Sequence, residues 1–390
     1  MSKRKINILY TVTTLFWFST YLYAPILPNY IKALGASYLM VGLILGCYGV
    51  GQLVFRVPIG IISDRLNKRR VFISLGLLSQ MISSIGLYFF TNPALILVFR
   101  SFSGIGAAFW VIFTVLYSSY FAENEATKAV GILNAFCNGG ILVGLISGGF
   151  LVKAFSIRTT FLVSVATAAV GLVLSFAISE KKVDRKPAEI KELLMVVKDS
   201  NFQTVSFIGV ICQFVSFATV YGFTPVVAAG LGASDFQIAM LTAVSVVPGV
   251  IGSILSGSFF AEKIGEKRTM IYGLVIASIA CCVIPFAHNM TVLSISQLIG
   301  GFGTGTVFPL LMGLSIKSVS TDKRATAMGI FQAIYGLGMF MGPTIVGALT
   351  DSIGIVWGFI TIGGVALSGA LAAMLYKQEK SRQFQRIPGK

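Results

Sequence analysis

Two arginines, Arg56 and Arg100, stand inside long apolar stretches of the chain. If those stretches cross a bilayer, a charge at such depth costs at least about 2.5–3.5 kcal/mol on insertion scales, so each guanidinium must face a cavity, a partner or an aqueous rim. Arg100 lies roughly 9 Å from one end of its run by helical rise. Substrate or proton handling is expected of it, with snorkelling to the nearer surface as the alternative. Arg56 stands two turns from Asp64, and bracing a gate or snorkelling is expected of it ahead of substrate contact. Other polar and aromatic residues within apolar runs could line a cavity: Trp17, Tyr21, Tyr23, Trp110, Asn134, Asn138, Gln213, Tyr221, Gln297, Gln332 and Tyr335. Each aromatic serves equally as packing or as an interfacial anchor, and each amide as an interhelical hydrogen bond. All fourteen Asp and Glu residues fall in loops or at the ends of runs. A pocket for lipophilic cations, or a deep carboxylate proton carrier, therefore has no evident residue to use, and the interior is expected to be electropositive. The single histidine, His288, reads as interfacial. The five cysteines sit in apolar runs without disulfide or metal spacing. No catalytic constellation, metal site or cofactor motif is present, and no enzymatic activity is expected.

These residues belong to a chain whose composition fixes its solvent. Of 390 residues, 55% are hydrophobic and 11% charged, with a mean hydropathy of +0.86, against about 25% charged in a globular domain. The charge-free stretches Val71–Val98 and Met270–Ile316 fit a membrane interior. A soluble enzyme, a secreted disulfide scaffold and a disordered chain are excluded. The net charge of +16 does not indicate nucleic acid, because the basic residues cluster between apolar runs in the positive-inside pattern.

A pass along the chain gives twelve expected spans, at about 7–31, 39–63, 71–91, 94–119, 128–152, 157–178, 202–229, 236–260, 269–288, 291–315, 325–349 and 354–376. With the N-terminus in the cytoplasm, 25 of the 30 Lys and Arg residues face inside, only Lys32, Lys153 and Arg158 face outside, and Arg56 and Arg100 lie within spans. Both termini are thus expected in the cytoplasm of a multi-pass protein of the cell membrane. The basic start, Met1–Lys5, leads into a retained first helix and not a cleaved signal peptide. The expected division is a six-helix bundle over 1–178, a cytoplasmic linker over 179–200 with a short amphipathic helix at Ala188–Val197, a second six-helix bundle over 201–377, and a tail over 378–390.

The halves repeat at an offset of 197 or 198 residues. Pro28 and Leu34-Gly35-Ala36-Ser37 match Pro225 and Leu231-Gly232-Ala233-Ser234. Arg100, Gly104 and Gly106 match Gln297, Gly301 and Gly303; Gly131, Ala135 and Gly144 match Gly329, Ala333 and Gly342. Parallel halves with a site at their interface are the arrangement of a secondary transporter.

The loop after the second span, Gly60-Ile-Ile-Ser-Asp64-Arg65-Leu-Asn-Lys68-Arg69-Arg70, resembles the signature loop of the major facilitator superfamily, with Asn67 where the family has Gly. Arg100-Ser-Phe-Ser-Gly104-Ile-Gly106-Ala-Ala is similar to the family's fourth-span motif. Gly140-Ile-Leu-Val-Gly144-Leu145-Ile-Ser-Gly148-Gly149 resembles its antiporter motif with Leu145 in place of Pro, whereas span eleven reads Gly342-Pro343. Physically these glycines need only be close-packing positions. The resemblance implies an all-α membrane protein of twelve transmembrane helices in two pseudo-symmetric six-helix bundles. It further implies that Asp64 lies near the N-terminus of span eleven and that Lys68, Arg69 and Arg70 take part in gating. The expected activity is alternating-access efflux of a small amphipathic compound, with protons as the coupling ion. The alternatives are transport of an anionic or neutral metabolite and a non-transporting sensor. The partners are the lipid bilayer and the small-molecule substrate, and the protein is expected to be a monomer.

Overall fold

The computed structural model describes residues 3–121, 126–180, 197–317, 319 and 324–376. Among these residues the chain is helical, with no strand. The long helices are α1 (Lys3–Tyr21), α2 (Tyr38–Leu66), α3 (Arg69–Phe89), α4 (Pro93–Ser118), α5 (Ala126–Ala154), α6 (Ile157–Ser175), α7 (Ser200–Gly230), α8 (Asp235–Leu255), α9 (Glu266–Val283), α10 (Met290–Leu314), α11 (Arg324–Ile353) and α12 (Ile355–Ala373). Eleven candidate spans are long and apolar enough to cross a membrane, one on each of α2 to α12. The twelfth expected span falls on α1, which opens on three basic residues and packs against α5 and α6. Of the linker helix expected at Ala188–Val197, all but Val197 lie outside the described residues, as does the tail.

Several spans are less regular than the apolar runs imply, three of them near the middle of the molecule or at a proline. The first breaks after Tyr21 and resumes as Leu27–Ala33, because Pro25 and Pro28 remove backbone donors within a few residues of each other. A one-residue interruption at Phe109 divides α4. In α7 a π-turn at Thr219–Phe223 precedes Pro225, a local adjustment that absorbs the missing N–H.

The repeat is physical. Gly106 packs so closely on Gly76 O that a Cβ would intrude, and Gly303 packs in the same way on Gly273 O, 197 residues on. Gly140 and Gly144 of α5 sit on the backbone of α1 at Thr14 and Phe18; Gly338 and Gly342 of α11 sit on α7 at Val210 and Phe214. Small residues let backbones approach where lipid supplies no hydrophobic drive between helices. The loop after α2 turns at Asn67, the one described non-glycine with positive φ (51°), matched by Gly265 at 87°. Asn tolerates this left-handed region better than other side chains, so the departure from the family's Gly is accommodated. Each half has its own buried core. One gathers residues from Phe202 to Tyr376, joined by Tyr48 and Ala107; the other two lie within Leu9 to Ile178.

We call the end that carries α1's first turn and Asp64 the basic end, and the opposite one the far end. At the far end the halves meet. Asn29 donates to Pro225 O at 3.0 Å, Phe150 packs on Phe236, and Lys153 lies over the Phe236 ring. Asp351, at the end of α11, accepts from the backbone N–H of Tyr38 (3.0 Å) and Leu39 (2.8 Å), the first turn of α2. From there α2 runs along α11 through Gly42, Gly46 and Gly49. The side-chain contacts that join the halves run from Arg56 to the far end, while on the basic side Asp64 pairs with Arg69 of its own half and Glu266 with Lys317 of its own. Gly131 and Gly139 of α5 have open space where a Cβ would go. Among the described residues the halves are joined at the far end, and the basic end is the looser of the two.

Candidate functional site

At the joined end of the interface between the halves lies a narrow pocket, with room for about one water-sized occupant as it stands, lined by Thr20, Tyr21, Leu45, Tyr48, Arg100, Phe217 and Tyr221 with Ala24. Both halves contribute. Tyr48 of α2 stacks on Phe217 of α7 with centroids 5.7 Å apart, and Tyr21 of α1 meets Tyr221 edge-on at 5.3 Å. These rings bar the far end above the pocket.

Arg100 is the pocket's one charge. Close packing puts it there: Gly104, one turn on, sits on Tyr48's backbone, and Gly51 sits on Gly104, so α2 and α4 touch. The guanidinium carbon then lies 5.1 Å from the Tyr48 centroid and 5.5 Å from that of Tyr23, within cation–π range. Nη1 donates to Tyr23 Oη at 3.1 Å and to Ser103 Oγ at 2.9 Å. Nε is buried without a partner. Arg100 is 6% exposed, so snorkelling does not describe it. No Asp or Glu among the described residues is buried.

Arg56 is 2% exposed and does not line the pocket. Its guanidinium donates to Gln52, to Gln332, to Tyr335 Oη at 3.4 Å and to Ala107 O at 3.1 Å. One side chain thus ties α2 to α4 and, across the halves, to α11. Gln332 and Tyr335 belong to this knot and not to the pocket. Gln297, the counterpart of Arg100, donates to Thr224 Oγ1 at 3.3 Å. Trp110 packs on Trp17 inside the first half. Asn134, Asn138 and Gln213 lie outside the pocket lining, Asn138 being exposed. His288 is exposed between α9 and α10.

The signature loop is arranged differently from what the resemblance implied. Asp64 accepts from Arg69 at 3.4 Å, and no hydrogen bond among the described residues takes it to α11. The backbone-capping carboxylate between the halves is Asp351, at the other end. Arg65, Lys68 and Arg70 are exposed, and Arg70's backbone N–H donates to Glu180 at 2.5 Å. Gly60 meets nothing within 4 Å of a Cβ position, while Gly104, Gly106, Gly140, Gly144, Gly148, Gly149 and Gly342 are all close-packed. Sequence reading missed Tyr48, Phe217, Ser103 and Gln80. Only Gln80, an amide in an apolar run, carried a signal.

Comparison with known proteins gives a consistent result. The family description "Major Facilitator Superfamily" matches residues 9–225 and 205–389. An uncharacterized transporter of this type from Methanocaldococcus jannaschii is 25% identical over 352 residues, covering 85% of this chain and 87% of its own. Multidrug resistance protein 2 of Bacillus subtilis is 26% identical over 384 residues, covering 92% and 91%. Among solved structures the nucleoside transporter NupG superposes with a TM-score of 0.78 at 14% identity, covering 96% of this chain and all of its own.

Proposed function

The chain belongs to the major facilitator superfamily, and from that premise we propose that it exports small amphipathic compounds by alternating access. Its cargo is anionic, zwitterionic or neutral, and not permanently cationic. The observation that carries this reading is Arg100: a buried guanidinium at an aromatic-walled pocket between the halves, with free donors and no buried acid among the described residues to offset it. A positive charge at depth is weakly screened. The name of the Bacillus subtilis relative, a multidrug resistance protein, supports export. The charge count supports placing the basic end and both termini in the cytoplasm of the cell membrane, so the looser end loads from inside.

In the other half of the cycle the basic end closes. Gly60, Asp64, Arg65, Lys68, Arg69 and Arg70 stand where that closure forms, and Asp64 then reaches the N-terminus of α11, whose dipole favours a carboxylate by about 0.3–1 kcal/mol. Asp64→Asn should lower flux while expression stays near that of the unaltered protein; unchanged flux would leave the loop with topology alone.

The test of the transport reading is counterflow in proteoliposomes with matched anionic, neutral and quaternary ammonium compounds. Arg100→Lys should weaken transport, because an ammonium offers a point charge and not a planar fork, and Arg100→Ala should weaken it further. Efficient transport of the quaternary ammonium, undiminished in Arg100→Ala, would refute the reading. Uptake of an anionic metabolite is the second reading, favoured by the same guanidinium; flux in right-side-out against inverted vesicles separates the two.

A further inference from the structure

Behind Arg100, on the side away from the pocket, lies a hydrogen-bond set that transport as such does not call for. Gln80 sits on α3, which contributes nothing to the pocket lining, and is fully buried. Its Oε1 accepts from Ser103 Oγ at 2.7 Å. Its Nε2 faces Tyr23 Oη at 3.4 Å, Ser19 O at 3.3 Å and Ser84 Oγ at 3.3 Å. Both acceptors of Arg100, the Tyr23 and Ser103 hydroxyls, are therefore also partners of Gln80.

Donor arithmetic fixes the directions. The main-chain oxygen of Ser19 can only accept, so the amide nitrogen of Gln80 must lie on that side and its oxygen toward Ser103. Arginine only donates. Ser103 must then accept from Arg100 and give its single proton to Gln80. Tyr23's oxygen receives Arg100 from one side and the amide from the other. The amide thus presents two hydroxyl lone pairs to Nη1 and locks the guanidinium on that edge, leaving Nε and the opposite edge free. Buried arginines are ordinarily paired with acids. At the place from which a carboxylate would neutralise Arg100, this chain has the uncharged isostere.

Building on the transport reading above, we infer that Gln80 is a positioning residue that sets the charge preference of the site. It holds Arg100 in place without cancelling its charge, so the preferred cargo is an organic anion with an apolar body, of the carboxylate or sulfonate class.

The experiment is counterflow in proteoliposomes at equal pH on both sides. Its probes are an aryl sulfonate, the corresponding sulfonamide and the corresponding aryl trimethylammonium, whose charges do not change between pH 5 and 8. The unaltered protein should prefer the sulfonate at every pH. Gln80→Glu keeps the shape and places a negative charge behind Arg100, so at pH 8 the sulfonate-to-sulfonamide ratio should fall about tenfold or more. A purely structural role would lower the flux of all three probes alike and leave that ratio unmoved. Gln80→Met, uncharged and of similar size, should raise the sulfonate KM about tenfold with little change in maximal rate and without favouring the cation.

If the unaltered protein shows no sulfonate preference, the anionic cargo class falls and the Gln80 inference with it. If it shows one and Gln80→Glu retains it at pH 8, the Gln80 inference is overturned while the transport reading stands. Should Gln80→Glu not fold, an unaltered KM in Gln80→Met overturns the inference equally.

Discussion

Arg56 and Arg100 are both buried guanidiniums, and their surroundings give them different work. Arg56 has acceptors on α2, α4 and α11, so its charge is spread into a knot between the halves. Arg100 has acceptors on one edge only, and its remaining donors stay available. Arg56→Lys should therefore fail to substitute: a single ammonium cannot reach three helices, and stranding buried amides costs about 1–3 kcal/mol. A lowered melting temperature in detergent, with the anion-to-cation preference unchanged, is the expected result; a preference altered as in Arg100→Ala would move Arg56 into the site. Both arginines were legible in the sequence because an intramembrane charge is rare. Tyr48 and Phe217 were not, since an aromatic facing a pocket has the same letter as one on the outer surface, such as the exposed Phe207.

Helix boundaries follow the apolar runs to within a few residues: 39–63 becomes Tyr38–Leu66, and 157–178 becomes Ile157–Ser175. The break after Tyr21 was invisible because hydropathy does not dip across Leu22–Ile26, although Pro25 and Pro28 marked it. The glycines sort by contact and not by motif. Gly148 sits directly on Leu22 O, whereas Gly60 has empty space around it. Gly148→Ala must displace α5 from α1 and should destabilise the protein by about 1–3 kcal/mol. Gly60→Ala should leave stability unchanged or slightly raised, Ala being the better helix former. Thermal unfolding followed by size-exclusion chromatography compares the two; equal losses would mean that close packing is not what these positions share.

Across the whole molecule the two junctions at the far end are unlike, though the halves repeat. One is a lysine over a phenylalanine ring; the other is Asp351 accepting two N–H groups from the start of α2. A carboxylate on a helix N-terminus is favourable by about 0.3–2 kcal/mol, and here the helix belongs to the opposite half. Asp351→Asn should shift the population toward a parted far end by several fold. Spin labels at Phe155→Cys and Trp357→Cys, both exposed and on opposite halves, would report this as a longer distance component. An unchanged distribution would show that the aromatic plug alone holds the closure. The repeat was legible as an offset between letters, but which end is closed was not, because closure is set by how the two halves pack on each other and not by the composition of either.

The absence of buried acids among the described residues also bears on energetics. If the interior offers no group that takes up or releases a proton beside the cargo, the charge moved while the cleft switches sides is the charge of the cargo. One elementary charge crossing 100 mV gains or loses about 2.3 kcal/mol, a concentration ratio of about fortyfold. An anion leaving a cell that is negative inside would be driven outward by the membrane voltage itself. Sulfonate efflux from vesicles should then respond to a potassium diffusion potential imposed with valinomycin, accelerating when the cargo side is negative, while sulfonamide flux stays flat. Equal responses of the two would show that the voltage acts on the protein and not on what it carries.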